Sequence, residues 1–253
     1  ETVLRSRGAL VSEDPFFPGA TAISGLSVYD WEAEDGLCGG SPHMHLTCTE
    51  AYVAVSGAGA VHTVTAREVR ETPLRAGTVV WFGPGTIHRA VNDDGSLRVL
   101  VVMQNAGLPE AGDAVFTFPS EVLADPAAYR EVATLSGPSL AEAARARRDL
   151  AVRGYQQLVA RVTSGDETAL AEFYRHAVAL VADRTDEWER RWRAGPVAAV
   201  RRTEEHLAAL RAGRIDHLLR AGVRIEQAPT PEDRKFGMCG RLDTYSFGHF
   251  PPS

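Results

Sequence analysis

Near residue 120 the spacing of apolar residues in this chain changes from two to between three and four, and one kind of secondary structure cannot satisfy both periods. Before that point the runs VYDWEAEDG, EAYVAVSGAGAVHTVTA, GTVVWFGPGTIHRAVNDDG and SLRVLVVMQN are short, apolar or alternating, and broken by Gly, Pro, Asn and Asp. Alternate side chains leave opposite faces of a strand, so each run suits a strand of about six residues with one face buried. Strands repeated at this spacing predict an antiparallel sandwich or barrel.

After residue 120 the signals are helical. Asp125-Pro126 reads as an N-cap with Pro at the first helical position, and Ser139 with Glu142 reads as a capping box, as does Ser164 with Glu167. Leu170, Phe173, Tyr174, Ala177 and Val181 recur at steps of three and four and form one apolar stripe. Gly195-Pro196 is expected to break the following pair of helices, and Gly213 and Gly222 to stop later ones. The expected fold class is α+β: an antiparallel β-barrel with an N-terminal arm over residues 1–119, then a C-terminal helical region over 120–222. The tail over 223–253 ends in a Gly- and aromatic-rich segment too apolar to dangle, expected to pack on the barrel or on a partner subunit.

Charge follows the same division. The net charge of −6 is the balance of −9 over residues 1–129, +4 over 130–224 and −1 in the remainder. The basic residues are nearly all Arg, with Lys235 the sole lysine, and they alternate with Glu and Asp as on a solvated helix face, so nucleic acid is not an expected partner. No run approaches the roughly 18 apolar residues of a membrane helix, and ETVLRSRGAL lacks the apolar core of a secretory signal; the expectation is a cytoplasmic protein without membrane contact. Cys38, Cys48 and Cys239 are odd in number and scattered, which argues against a disulfide framework.

The chemistry-bearing stretch is PHMHLTCTE, residues 42–50. In a strand His43 and His45 point the same way, which is the geometry two ligands of one ion need. Glu50 lies across a short connection, Tyr52 shares its face, and His88 follows the Gly-Pro-Gly turn of GPGTIHRAVN. An HxH pair alone is ambiguous. The combined spacing of His43, His45, Glu50 and Gly57 with Gly77, Gly85, His88 and Asn92, however, resembles the two signature motifs of the cupin superfamily. One position departs: Gly83 stands where cupins usually carry Pro. The resemblance covers about residues 20–118 and implies a double-stranded β-helix in which His43, His45, Glu50 and His88 bind one divalent metal ion. Three imidazoles and a carboxylate suit Fe, Mn, Ni, Co or Zn without choosing among them.

Glu50-x-Tyr52, the run His88-Arg89-x-Val91-Asn92 and the segment AGLPEAGD at 106–113 are further similar to the cupin-type glucose-6-phosphate isomerases, although His45 and Glu50 stand closer together here than in that family. That likeness implies isomerisation of a sugar or sugar phosphate through a metal-stabilised enediolate, with Glu50, Tyr52 and His62 as candidate proton carriers. Arg89 is the nearest candidate to hold a phosphate, though strict alternation sends it to the face opposite His88. His62 has either face open to it, and Gln104 either lines the pocket or caps a strand. His176, His206 and His217 read as surface residues, whereas His249 in the tail is placed to reach a neighbouring pocket. The alternatives are an Fe(II)-dependent dioxygenase built on the same ligands and a non-catalytic sensor that binds a small molecule. The helical region is expected to wrap the barrel, close one mouth of the pocket or form a homodimer interface.

Overall fold

The computed structural model describes residues 15–246. Nine strands precede the helices: β1 Ala22–Val28, β2 His43–Met44, β3 Glu50–Ser56, β4 Ala58–Val64, β5 Val69–Arg75, β6 Val79–Phe82, β7 Ile87–Asn92, β8 Arg98–Met103 and β9 Val115–Phe116. The helices are α1 Ser120–Leu123, α2 Pro126–Ala133, α3 Leu140–Thr163, α4 Ala169–Val181, α5 Thr185–Trp192, α6 Ala198–Arg211 and α7 Asp216–Leu219. Two more strands, β10 Lys235–Phe236 and β11 Gly240–Thr244, close the described chain. His249 lies outside the described residues.

The strands form two antiparallel sheets, in the orders β10-β11-β1-β8-β3-β6 and β5-β4-β7-β2-β9. This is the α+β arrangement of a β-barrel followed by helices that the change of period implies. β3 passes to β4 through Gly57, whose φ of 74° is left-handed and whose missing Cβ leaves room for the Ser96 carbonyl carbon, 2.4 Å from where that atom would stand. Asn92 ties the same end of the barrel: its amide donates to Val28 O and accepts from Leu97 N, which satisfies two backbone groups at strand ends.

β7 is buried along its whole length. One face looks into the barrel and the other is covered by the loop between β1 and β2. Two buried arginines hold that loop. Arg89 reaches Asp35 and the carbonyls of Gly40 and Leu37, while Arg148 of α3 donates to the carbonyls of Trp31, Glu32 and Gly39. A guanidinium with no solvent contact persists because nearly every donor meets an oxygen.

The helices begin largely as their caps direct. Asp125 accepts from Ala127 N and Ala128 N, and Ser139 accepts from Glu142 N. Leu170, Phe173, Ala177 and Val181 of α4 are buried, and Tyr174 at the same face donates to Gly85 O at 2.9 Å. Thr117 links α3 to the exit from β9 by donating to Ala151 O at 2.9 Å.

Two helix signals resolve differently. Ser164 ends α3, with its hydroxyl donating to Arg161 O, and Gly165 at φ 86° turns the chain. Asp166, accepting from Thr168 N, then opens α4 in place of a Ser164–Glu167 box. A short polar side chain suits either helix end, and the glycine that follows selects the C-terminal role. Gly195-Pro196 falls inside a π-helical turn, Arg193–Val197, which joins α5 to α6. The wider turn absorbs the proline's missing donor without breaking the path. Among the described residues no helix is long and apolar enough to cross a membrane.

Candidate metal centre

β2 supplies His43 and, one residue past its end, His45 follows on the same face. His43 is paired with His88 of β7 in register, and Glu50 opens β3 between Phe82 of β6 and Met103 of β8. Three strands and the residue just past β2 thus bring four side chains together inside the barrel, all buried, with ligand atoms within 4.8 Å of one another. Glu50 Oε2 stands 2.9 Å from His88 Nε2 and 3.2 Å from His45 Nε2.

The imidazole tautomers follow from their outer contacts. Nδ1 of His43 faces the Ser41 carbonyl at 2.9 Å, Nδ1 of His88 faces the Thr86 carbonyl at 3.1 Å, and Nδ1 of His45 touches the Asp113 carbonyl. A carbonyl only accepts, so each Nδ1 carries a hydrogen, and each ring in its neutral form turns an Nε2 lone pair inward. Glu50 Oε2 and His88 Nε2 are both buried without a hydrogen-bond partner, and with the ring neutral both are acceptors. Buried acceptors that face one another call for a cation between them. The donor set and its buried, orphaned atoms fit one divalent ion.

The four groups are also coupled through their charges. Burial pushes the Glu50 carboxyl up, but the neighbouring His88 and His45 outweigh it and hold it well below the usual carboxylate range. Burial also lowers His45, yet the Glu50 carboxylate and Asp113 prevail and raise it above the ordinary imidazole value. His43 is driven well below that value by burial and by repulsion from His88 and His45. Burial, with the nearby Cys239 and Glu50, keeps the Tyr52 phenol protonated far above its ordinary range.

A cavity of about 270 Å³ adjoins the cluster and is lined by His43, His45, Glu50 and Tyr52, by residues of β1 and β8, and by the C-terminal hairpin. The Tyr52 hydroxyl lies 3.8 Å from Cys239 Sγ, which in turn lies 3.9 Å from His43 Nδ1. Burial and the Glu50 charge push the Cys239 thiol up to about 12, so it sits there as a neutral wall.

The expected proton carriers separate. Glu50 and Tyr52 meet at the cavity; His62 does not. In the β4–β7 register His62 pairs with Arg89 while Thr63 pairs with His88, so His62 leaves the sheet on the face away from the cluster and approaches Glu71 at 3.5 Å. Arg89 is on that outer face too, bound to Asp35, and is no phosphate partner for the cavity. Gln104 caps a strand, accepting from Thr49 N, and is exposed.

Reading along the chain missed Asp113 and the residues of β11. Asp113 is fully buried; its carboxylate accepts from Leu46 N, Thr47 N and the Thr47 hydroxyl, while its carbonyl orients His45. The segment 106–113 stood out as a motif, but nothing in its spacing names the histidine it supports. For Leu242 and Thr244 the apolar tail signals only packing on the barrel or a partner; what brings them to the cavity is pairing of β11 with β1, more than two hundred residues earlier.

A family model described as Cupin matches residues 22–126. No curated protein matches the chain. Among solved structures, the capsular polysaccharide assembling protein CapF from Staphylococcus aureus is similar at 21% identity over 32% of this chain and 24% of that one, with a TM-score of 0.29. A TDP-fucose-3,4-ketoisomerase from Campylobacter jejuni is similar at 11% identity over 38% and 64%, TM-score 0.30. A Streptomyces nucleoside dehydratase matches at 17% identity over 41% and 69%, TM-score 0.29. The chain thus spans about a quarter of the CapF sequence that it matches.

Proposed function

The barrel of this chain is a cupin domain, and on it we propose a mononuclear divalent-metal centre, held by His43, His45, Glu50 and His88, that serves the isomerisation of a small sugar-like hydroxy-carbonyl compound. The observation that carries this reading is the convergence of three imidazoles and one carboxylate, all buried, with ligand atoms within 4.8 Å of one another. When bound, the ion supplies Lewis acidity that makes the C–H between a carbonyl and its neighbouring hydroxyl acidic.

The chain's own groups do the rest. Glu50 is the carboxylate that belongs both to the cluster and to the cavity wall, and in this reading it receives the proton from carbon. Tyr52, which keeps its own proton, acts as a hydrogen-bond donor to a substrate oxygen and not as a base. The apolar walls limit water around the reacting carbons.

The same four residues would equally serve an iron-dependent dioxygenase, and the test separates the two. Metal content is measured in the wild type and in His43→Ala and Glu50→Ala; full stoichiometry in both variants sinks the centre. Protein loaded with Mn or Co is then given hydroxy-ketones and aldoses under nitrogen. Interconversion of the carbonyl and hydroxyl positions supports isomerisation, whereas turnover only with iron and oxygen replaces it with the oxygenase.

A further inference from the structure

The cavity has a composition that narrows its ligand. Its broad walls are apolar, formed by Ala22 and Leu26 of β1, Val101 and Met103 of β8, and Met238 and Leu242 of the C-terminal hairpin. Among the described residues that line it there is no Arg or Lys, and its two carboxylates are Glu50 beside the cluster and Glu110 at the exposed mouth.

The arginines of this end of the barrel are engaged elsewhere. In the β1–β11 pairing Leu26 faces Leu242 and Ser24 faces Thr244, and these four line the cavity. Gly25 and Asp243 alternate to the other side, where Asp243 takes both Arg98 and Arg234. Arg147 donates to the carbonyls of Ala133 and Gly237, and Arg89 is bound to Asp35 across the other sheet.

The hairpin that completes the apolar wall is firmly seated. Ser41 N donates to Met238 O at 2.9 Å and Tyr29 N to Cys239 O at 3.1 Å. Gly40 lies so close that a Cβ on it would stand 2.3 Å from Cys239 Cα. The segment 237–239 is therefore docked against the backbone that leads into His43.

A phosphate group needs an Arg fork, a lysine or a helix N-terminus to replace its hydration. This cavity offers it two carboxylates instead. An apolar group gains free energy by leaving water for such walls, and at about 270 Å³ the space suits a molecule smaller than drug-sized ligands. We infer that the cavity selects an uncharged hydroxy-carbonyl compound bearing an apolar group and rejects phosphorylated sugars, with Met238 and Leu242 as the residues that set the preference. The orientation of the ligand's oxygens rests on the metal-centre reading; its class rests on the walls.

Isothermal titration calorimetry of the full chain loaded with Co(II) tests the class, with 2-hydroxycyclohexanone and fructose 6-phosphate as ligands. The hydroxy-ketone is expected to bind roughly tenfold or more tightly than the phosphate ester. Thr244→Arg, which places a guanidinium where the cavity has none, is expected to improve fructose 6-phosphate by roughly tenfold. Leu242→Ser is expected to weaken the hydroxy-ketone by roughly fivefold with cobalt content unchanged. Thr244 is half-buried near a strand end, so its variant keeps the test decisive if Leu242→Ser does not fold.

Fructose 6-phosphate binding as tightly as the hydroxy-ketone in the wild type overturns the inference, as does no measurable binding of the hydroxy-ketone. Failure of the metal centre reads differently: before any ligand is added, cobalt content would be equal in the wild type and in His88→Ala.

Discussion

Glu50 Oε2 and His88 Nε2 lie 2.9 Å apart inside the barrel, and with His88 Nδ1 donating to the Thr86 carbonyl the neutral ring has no hydrogen to give the carboxylate. Two facing acceptors raise the free energy of the metal-free fold, and an ion that binds only the folded state recovers it. With the ion at about 100 times its Kd the linkage is worth about 2.7 kcal/mol. At about 2–4 °C per kcal/mol this is a rise in Tm of roughly 5–10 °C over the chelator-treated protein. Calorimetry across Mn, Fe, Co, Ni and Zn checks it, and an unchanged Tm with all five contradicts the centre.

Proton competition gives the affinity a pH dependence of definite sign. His45 holds its proton above the ordinary imidazole value and must lose it to bind the ion, whereas Glu50 is already ionised and His43 already neutral. Affinity therefore falls as pH falls, by about tenfold per unit while His45 is protonated. Its plateau begins above the ordinary imidazole value of about 6.5. Cobalt titrations at stepped pH and constant ionic strength read the slope; a flat profile from below to above that value contradicts the assignment.

Asp113 should matter to both fold and ion. Asp113→Ala strands the amides of Leu46 and Thr47, at a cost of about 2–4 kcal/mol in stability. The carbonyl that meets His45 Nδ1 belongs to the backbone and survives the substitution, so metal affinity is expected to fall by less than the roughly tenfold that losing such a support costs. Asp113→Asn keeps one acceptor and should recover much of the stability. Denaturant melts and metal titrations of the pair separate the effects, and wild-type stability in Asp113→Ala would remove the role of its side chain.

Arg148 anchors the loop over β7 from the helical side. Replacement by Met leaves the Trp31, Glu32 and Gly39 carbonyls without a donor and is expected to cost about 3–5 kcal/mol. Lysine is not expected to rescue it, because a single ammonium cannot span three carbonyls spread over two stretches of chain. A lowered denaturation midpoint with an unchanged m-value is the signature.

His62→Ala is expected to leave metal content and catalysis at wild-type levels and to shift stability by no more than about 1 kcal/mol, since the ring sits across the sheet from the cluster. A large loss of turnover at wild-type metal content would return His62 to the site.

The legible parts of the molecule were those governed by local spacing. Strand alternation put His43 and His45 on one face and Glu50 and Tyr52 on another, and it separated Arg89 from His88. The three-and-four step of Leu170, Phe173, Ala177 and Val181 marked the buried side of α4 in the same way. Where one local signal serves two structures, reading along the chain went astray: Ser164 closes a helix where it was expected to open one, and Gly195-Pro196 sits in a widened helical turn where it was expected to break a pair of helices.

By itself, then, the amino-acid order determined the two periods, the antiparallel strands and the set of side chains able to meet a metal, because those properties depend on neighbours two to four residues apart. Only the tertiary structure decided which backbone carbonyl fixes each imidazole, that Asp113 supports His45, that His62 faces outward, and that β11 walls the cavity without bringing a cation to it. Those outcomes depend on contacts between residues tens to hundreds of positions apart, and on which oxygens compete for each arginine, and no local spacing encodes either.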